Sequence, residues 1–189
     1  MAVIGFKTEY PKENAYRRWA DKTGFPEAVL SSQYSSADEI PEEYKLEADD
    51  DRIAYWKVGR LVPKLHTIRR KNKSRKVGGK LHPSIGVRTK QQHQFCPELE
   101  IKGLQDLKIK WGTDKVGRPR CDVYVDGKLF GFAKWSGNLM TYISDPLKRL
   151  ILADGFAFNA LFFQWFNTNG TYQIIHWTDL RYKAKKNEL

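Results

Sequence analysis

Residues 121–135 carry the chain's strongest local instruction. Cys121-Asp122-Val123-Tyr124-Val125 and Lys128-Leu129-Phe130-Gly131-Phe132-Ala133-Lys134-Trp135 are strand-forming runs joined by Asp126-Gly127. Asp-Gly supplies the two positive-φ residues of a type I′ turn, whose twist matches that of paired strands. A two-residue turn sets the register, with Val125 opposite Lys128, Val123 opposite Phe130 and Cys121 opposite Phe132. Cys121, Val123, Val125, Phe130 and Phe132 then share one apolar face. An isolated hairpin is marginal in water, so further strands must join it. Leu99-Glu100-Ile101-Lys102 and Leu107-Lys108-Ile109-Lys110-Trp111 alternate apolar and charged, as half-exposed strands do.

Ser144-Asp145-Pro146 reads as a helix start with Pro near its first position. Leu147, Leu150, Ile151, Phe158, Leu161, Phe162 and Trp165 then fall near one helical face, and Asn167-Thr168-Asn169-Gly170 ends the pattern. Thr171 to Trp177 reads as a strand. A competing reading makes Leu161–Phe166 a strand, hairpinned to 171–177 through the Asn-Gly turn. Near the N-terminus, Pro11–Lys22 has the pattern of a short helix, stopped by Thr23-Gly24-Phe25-Pro26. At 189 residues and 41% hydrophobic content, the chain is long enough to bury a sizeable core. The expected fold class is α+β: an antiparallel sheet with a β-hairpin at 121–135, one or two packed helices and an embedded basic loop or arm. Residues 1–51 read as an N-terminal helix plus acidic linker, 52–96 as a basic segment, and 97–189 as an α+β core sharing a domain with 52–68.

Charge is segregated along the chain, and this carries the functional reading. The net +11 divides into +2 over 1–26, −8 over 27–51, +13 over 52–96 and +4 over 97–189. Arg52–Cys96 contains thirteen Lys or Arg and no Asp or Glu: Arg52, Lys57, Arg60, Lys64, Arg69, Arg70, Lys71, Lys73, Arg75, Lys76, Lys80, Arg88 and Lys90. Such a block calls for a polyanion. Ile53–Val62 has strand-like composition, Pro63 interrupts it, and Leu65–Ile68 resumes it. Arg69–Lys80 lacks an apolar period, carries Gly78-Gly79, and reads as an exposed loop or arm. Each cation that neutralises a phosphate releases condensed counterions, so binding would weaken steeply with salt. Tyr55 and Trp56 beside Lys57 and Arg60 read either as base-stacking planes or as core residues of a strand. Helix-turn-helix, zinc-finger, RRM and Walker patterns are not visible, so the contacts expected are with the backbone of DNA or RNA.

A membrane-surface reading would want an amphipathic helix, which Arg69–Lys80 does not form, and no membrane partner is expected. The apolar run 150–166 contains Asp154, Asn159 and Gln164 and is short for a bilayer span. Two cysteines make no disulfide framework, and the start of the chain does not read as a secretion signal. The expected location is intracellular, in cytoplasm, nucleoid or nucleus. The acidic neighbour, with Asp38-Glu39, Glu42-Glu43 and Asp49-Asp50-Asp51, has three readings: a solvated linker, a mask over the basic block, or a hard-cation site.

Catalytic signals are sparse. His82, His93, Cys96 and Cys121 include one His-x-x-Cys spacing but none of the paired spacings of a zinc site, so no metal or other cofactor is expected from them. No serine elbow is present. Gly117-Arg118-Pro119-Arg120-Cys121-Asp122, the hairpin, Phe132-Ala133-Lys134 and a following helix resemble the PD-(D/E)XK nuclease superfamily. That resemblance implies a Mg²⁺-dependent nuclease with Asp122 as a metal ligand and Lys134 in the site. Phe132 stands where the family places its second carboxylate, so Glu98, Glu100 or Asp126 would have to substitute. In the two-residue-turn register, Asp122 and Lys134 face opposite sides, and only a bulge would bring them together. Three functions follow: a nucleic-acid-binding or packaging component, a Mg²⁺-dependent nuclease, or a structural subunit whose aromatic C-terminal region faces protein or self-assembles.

Overall fold

The computed structural model describes residues 2–9, 22–47, 50 and 52–183. The expected helix Pro11–Lys22 lies outside them except for Lys22, whose backbone bridges Glu9. The described elements are β1 (Ala2–Gly5), α1 (Phe25–Leu30), β2 (His66–Arg70), β3 (Lys80–Ile85), β4 (His93–Gln94), β5 (Leu99–Glu100), β6 (Gly103–Thr113), β7 (Pro119–Val125), β8 (Lys128–Ser136), β9 (Leu139–Ile143), α2 (Asp145–Ala153), α3 (Asn159–Trp165) and β10 (Gly170–His176). The fold is α+β. A six-stranded antiparallel sheet runs β2-β10-β6-β7-β8-β9, and a smaller mixed sheet centres on β3, flanked by β1, β4 and β5.

The alternation in β6 sets the two faces of the large sheet. Leu107 and Ile109 are buried while Asp106, Lys108 and Lys110 are exposed. The buried face meets Leu147, Leu150 and Ile151 of α2 and Leu161, Phe162 and Phe163 of α3 in one cluster. The expected hairpin is present, with Asp126 at φ 48° and Gly127 at φ 78°, both left-handed as a type I′ turn demands.

Its register departs from the expectation. Val125 pairs Lys128 and Tyr124 pairs Leu129, but Val123 then pairs Gly131, leaving Phe130 as an extra residue. This β-bulge turns the rest of β8 over. Cys121 pairs Ala133 and Asp122 pairs Phe132, so Phe132 is outside and Gly131 and Ala133 are inside. The bulge admits α2: a Cβ on Gly131 would lie 2.9 Å from the Leu147 Cβ. Ser144 secures the strand beyond the bulge, its Oγ accepting from the Phe132 N–H at 3.0 Å and its own N–H donating to the Phe132 carbonyl at 3.0 Å.

Four further expectations are corrected. The apolar pattern 147–165 is not one helix, because the chain turns at Asp154-Gly155, with Gly155 at φ 83°. The strand alternative for 161–166 is overturned, since Asn159–Trp165 is helical. Ile53–Val62 is not a strand: Tyr55–Lys57 forms a 3-10 turn, and Ile53 and Val58 are buried. The strand begins at His66 and extends through Arg69 and Arg70, which were expected in the arm.

Asp154 explains the break. Its Oδ1 accepts from Lys64 Nζ at 2.6 Å and from the Ile68 N–H at 3.2 Å, and Lys64 Nζ also donates to the Asp154 carbonyl. Lys64 is 1% exposed, so the pair is fully internal. Burial draws the Lys64 ammonium down to about 8 and pushes the Asp154 carboxyl up, each opposed by its partner's charge. Asp154→Ala should cost about 3–5 kcal/mol in urea unfolding, because it leaves a buried ammonium unpaired. Lys64→Met with Asp154→Leu should recover most of that loss; an equal loss in the double variant would contradict the pairing.

Candidate nucleic-acid interface

The structure sorts the predicted cations by depth. Lys64 is internal, and Arg69 is turned inward: its Nη2 donates to the Gly5 carbonyl at 2.8 Å, and its guanidinium lies 5.1 Å from the Phe6 ring. Burial draws the Arg69 guanidinium below its ordinary value. Neither presents its charge to a surface partner.

Residues 71–79 connect β2 of the large sheet to β3 of the small one, and the connection is tied down. Gly78 N–H donates to Ile101 O at 2.8 Å, and Ile101 N–H to Gly79 O at 2.7 Å. Asn72 Oδ1 accepts from the Ser74 N–H and hydroxyl at 2.9 Å each, an Asx-type turn. Arg75 Nη1 donates to the Arg70 carbonyl at 2.8 Å and closes the loop on itself. Lys71 pairs Asp106 at 2.7 Å and Lys80 pairs Glu98 at 2.5 Å. Arg70, Lys73 and Lys76 are exposed and, among the described residues, have no carboxylate partner.

Lys57 and Arg60 lie on one segment, and Arg88 and Lys90 on another. Arg52 Nη1 donates to Gln91 O at 2.7 Å, joining the 52–60 segment to the turn that carries Arg88 and Lys90. That turn lies at the far end of β3 from the loop, on the order of 17 Å along the strand. Tyr55 is structural, its hydroxyl donating to Tyr44 O and accepting from the Leu46 N–H, each at 2.8 Å. Trp56 is 65% exposed, with Lys57 Nζ 5.2 Å and Arg60 Cζ 6.0 Å from its ring.

The bulge brings Asp122 and Lys134 to one side of the sheet. Lys134 pairs Arg120, Asp122 pairs Phe132, and all four lie on the face away from the helices. The Asp122 carboxylate accepts from Arg120 Nε at 2.6 Å, and the Arg120 guanidinium lies 4.3 Å from the Phe132 ring. Among the described residues no three His, Cys, Asp or Glu side chains converge as a metal site would require. The set His82, His93, Cys96 and Cys121 is dispersed: His82 lies 3.4 Å from Glu98, and His93 bonds Tyr44 O. Both thiols are buried, and burial pushes each up to about 12.

The acidic block makes its own pairs, Glu42 with Lys45 and Asp50 with Arg52, while the loop's ion pairs go to Asp106 and Glu98. Asp49 and Asp51 of the proposed cation site lie outside the described residues. The aromatic C-terminal segment faces inward: Phe156, Phe162, Phe163 and Phe166 are buried, leaving Phe158 58% exposed. Among the described residues no helix is long and apolar enough to cross a membrane.

Sequence reasoning missed the polar network inside. His66 Nε2 meets the Tyr182 hydroxyl at 2.7 Å, and His66 Nδ1 lies 3.5 Å from Asp154 Oδ1. His66 and His176 rings are 5.4 Å apart. Tyr182 also forms part of the wall of a cavity of about 600 Å³ with Leu65, Phe130 and Arg149. Both histidines are fully buried, and the network meets the cavity at Tyr182.

Comparison of the chain with protein-family models, with curated proteins and with solved structures yields no match.

Burial lowers His176 to about 4, aided by the nearby Arg181 and opposed by Asp126, and lowers His66 well below the ordinary value, aided by Lys64 and the neighbouring His176. Between pH 6.5 and 4 the unfolded chain binds protons that the folded chain does not. The stability these two histidines contribute by staying neutral should therefore be full above pH 6.5 and fall as pH drops through that window, by about 3 kcal/mol from His176. His176→Phe should make this acid limb shallower in urea titrations at stepped pH; an unchanged limb would count against the assignment.

Proposed function

We propose that the chain is a nucleic-acid-binding protein that contacts phosphates chiefly through the β2–β3 loop, as a binding or packaging component. The observation that carries this reading is the exposure of Arg70 at the end of β2 and of Lys73 and Lys76 on the tied loop that follows it, with no carboxylate partner among the described residues. Solvated surface charge is the ordinary fate of such residues. Here, though, three cations stand on a backbone whose ordering cost has been met in folding, so less entropy is lost on binding. Backbone phosphates suit this arrangement, since it offers charge without a base-reading helix. The group at Trp56, with Lys57 and Arg60 against the ring, supplies a second contact of the same kind.

The nuclease reading ranks second. The bulge gives it one point by placing Asp122 and Lys134 on a common face. Against it, Arg120 holds the Asp122 carboxylate, and Phe132 stands directly opposite in place of a second one. A carboxylate pair is what would hold Mg²⁺ at a scissile phosphate.

Binding of labelled DNA and RNA measured across a salt series should show affinity falling steeply with salt. Arg70→Gln, Lys73→Gln and Lys76→Gln together should reduce the log–log slope by about 2 to 3. An affinity indifferent to salt, or unchanged in the triple variant, would refute the assignment. The same oligonucleotides should remain intact in Mg²⁺ or Mn²⁺; cleavage that disappears in Asp122→Asn would move the nuclease reading to first place.

A further inference from the structure

The outer face of β6–β9 is built unlike an ordinary solvated sheet face. β6 contributes Lys108 and Lys110; β7 contributes Arg120 and Tyr124; β8 contributes Phe132 and Lys134; β9 contributes Tyr142. Each of these side chains is exposed or half-exposed. Phe132 and Tyr142 stack at 5.2 Å with 28° between the ring planes, and Tyr142 is 50% exposed on the edge strand. Lys134 Nζ lies 5.4 Å from the Phe132 ring, and Lys110 Nζ 5.5 Å from the Tyr124 ring. Rings therefore alternate with cations across four strands.

Cross-strand packing accounts for part of this, since aromatic pairs stabilise sheets by roughly 0.2–1 kcal/mol. It does not account for the sign of the charge. The carboxylates facing this side on β6 and β7 are already engaged, Asp122 with Arg120 and Asp106 with Lys71. Lys108, Lys110 and Lys134 have no carboxylate partner among the described residues. The Asp106–Lys71 bridge also joins this face to the β2–β3 loop at 2.7 Å.

We propose that this open face is the seat of an unpaired stretch of nucleic acid, with a base stacking on the exposed ring of Tyr142, itself backed by Phe132, and phosphates at Lys108, Lys110 and Lys134. The proposal rests on the nucleic-acid reading above and deepens it by naming the polymer's state. Bases in a duplex are stacked on one another and cannot reach aromatic side chains, whereas unpaired bases present both faces. Stacking platforms interleaved with cations are suited to single strands of any sequence. From β9 to β6 is three strand spacings, about 14 Å, and the loop lies beyond β6. A strand entering at Tyr142 would thus cross the face toward Asp106, where Lys71 of the loop is bridged.

The test is fluorescence anisotropy with a labelled oligothymidine and with a duplex of mixed sequence, at fixed salt. Tyr142→Ala should weaken single-strand binding about 10- to 100-fold and leave duplex binding within about twofold. Tyr142→Phe, which keeps the ring, should restore the single-strand affinity, and an unchanged urea midpoint in both variants shows that folding is intact. The loop triple variant should weaken both substrates. Single-strand binding that is unchanged by Tyr142→Ala, or lost equally with duplex, overturns the platform while leaving the loop reading in place. A wild-type chain that binds neither substrate, or that binds anionic phospholipid vesicles instead, overturns both.

Discussion

One extra residue in β8 decides what is inside this protein and what is outside. The Asp126-Gly127 turn alone would send Phe130 and Phe132 toward the helices. With Phe130 bulged, Gly131 and Ala133 face inward, and the gap they leave is the space that α2 occupies against the sheet. The same half-turn sends Phe132 and Lys134 outward, beside Arg120 and Asp122. Ser144 holds this arrangement from both sides by bonding the Phe132 N–H and carbonyl. Fold and candidate surface are thus consequences of one local irregularity, which agrees with bulges serving to re-aim side chains.

The second organising interaction works at the other end of the large sheet. Lys64 belongs by sequence to the basic stretch, yet its charge is spent on Asp154 at the turn between α2 and α3. That pair ends α2, anchors the entry to β2 through the Ile68 N–H, and sits among buried histidines that remain neutral. A buried ion pair is weak evidence for net stability, since well-packed apolar residues often replace one without loss. Its effect is better stated as placement: it fixes where the basic stretch turns from interior to surface. Downstream of Arg69, Arg70, Lys73 and Lys76 are exposed to solvent.

Much of this was legible in the residues, and the misses have physical causes. The type I′ turn, the alternation in β6 and the strand at 170–176 were readable because each rests on neighbours in sequence. The register beyond Val123 was not, although Gly131 within a strand pattern is itself a bulge signal. Asp154-Gly155 was passed over because the apolar period continued across it, and its reason, Lys64, lies ninety residues away. Lys64 and Arg69 looked like surface cations because composition cannot report depth. Tyr55 and Trp56, adjacent in sequence, part company for a similar reason: one hydroxyl finds Tyr44 and Leu46, while its neighbour stays in solvent. The outer face escaped notice because its central ring, Phe132, was assigned to the core.

The most direct test of the central claim is hydrogen–deuterium exchange and side-chain NMR on the chain with and without a short oligothymidine. The account predicts that perturbations concentrate on residues 70–76 and on the outer positions of β6–β9, with Tyr142 and Phe132 ring signals shifting. The buried His66 and His176 signals should stay fixed. Perturbation confined to other surfaces, or none at saturating oligonucleotide, would contradict it.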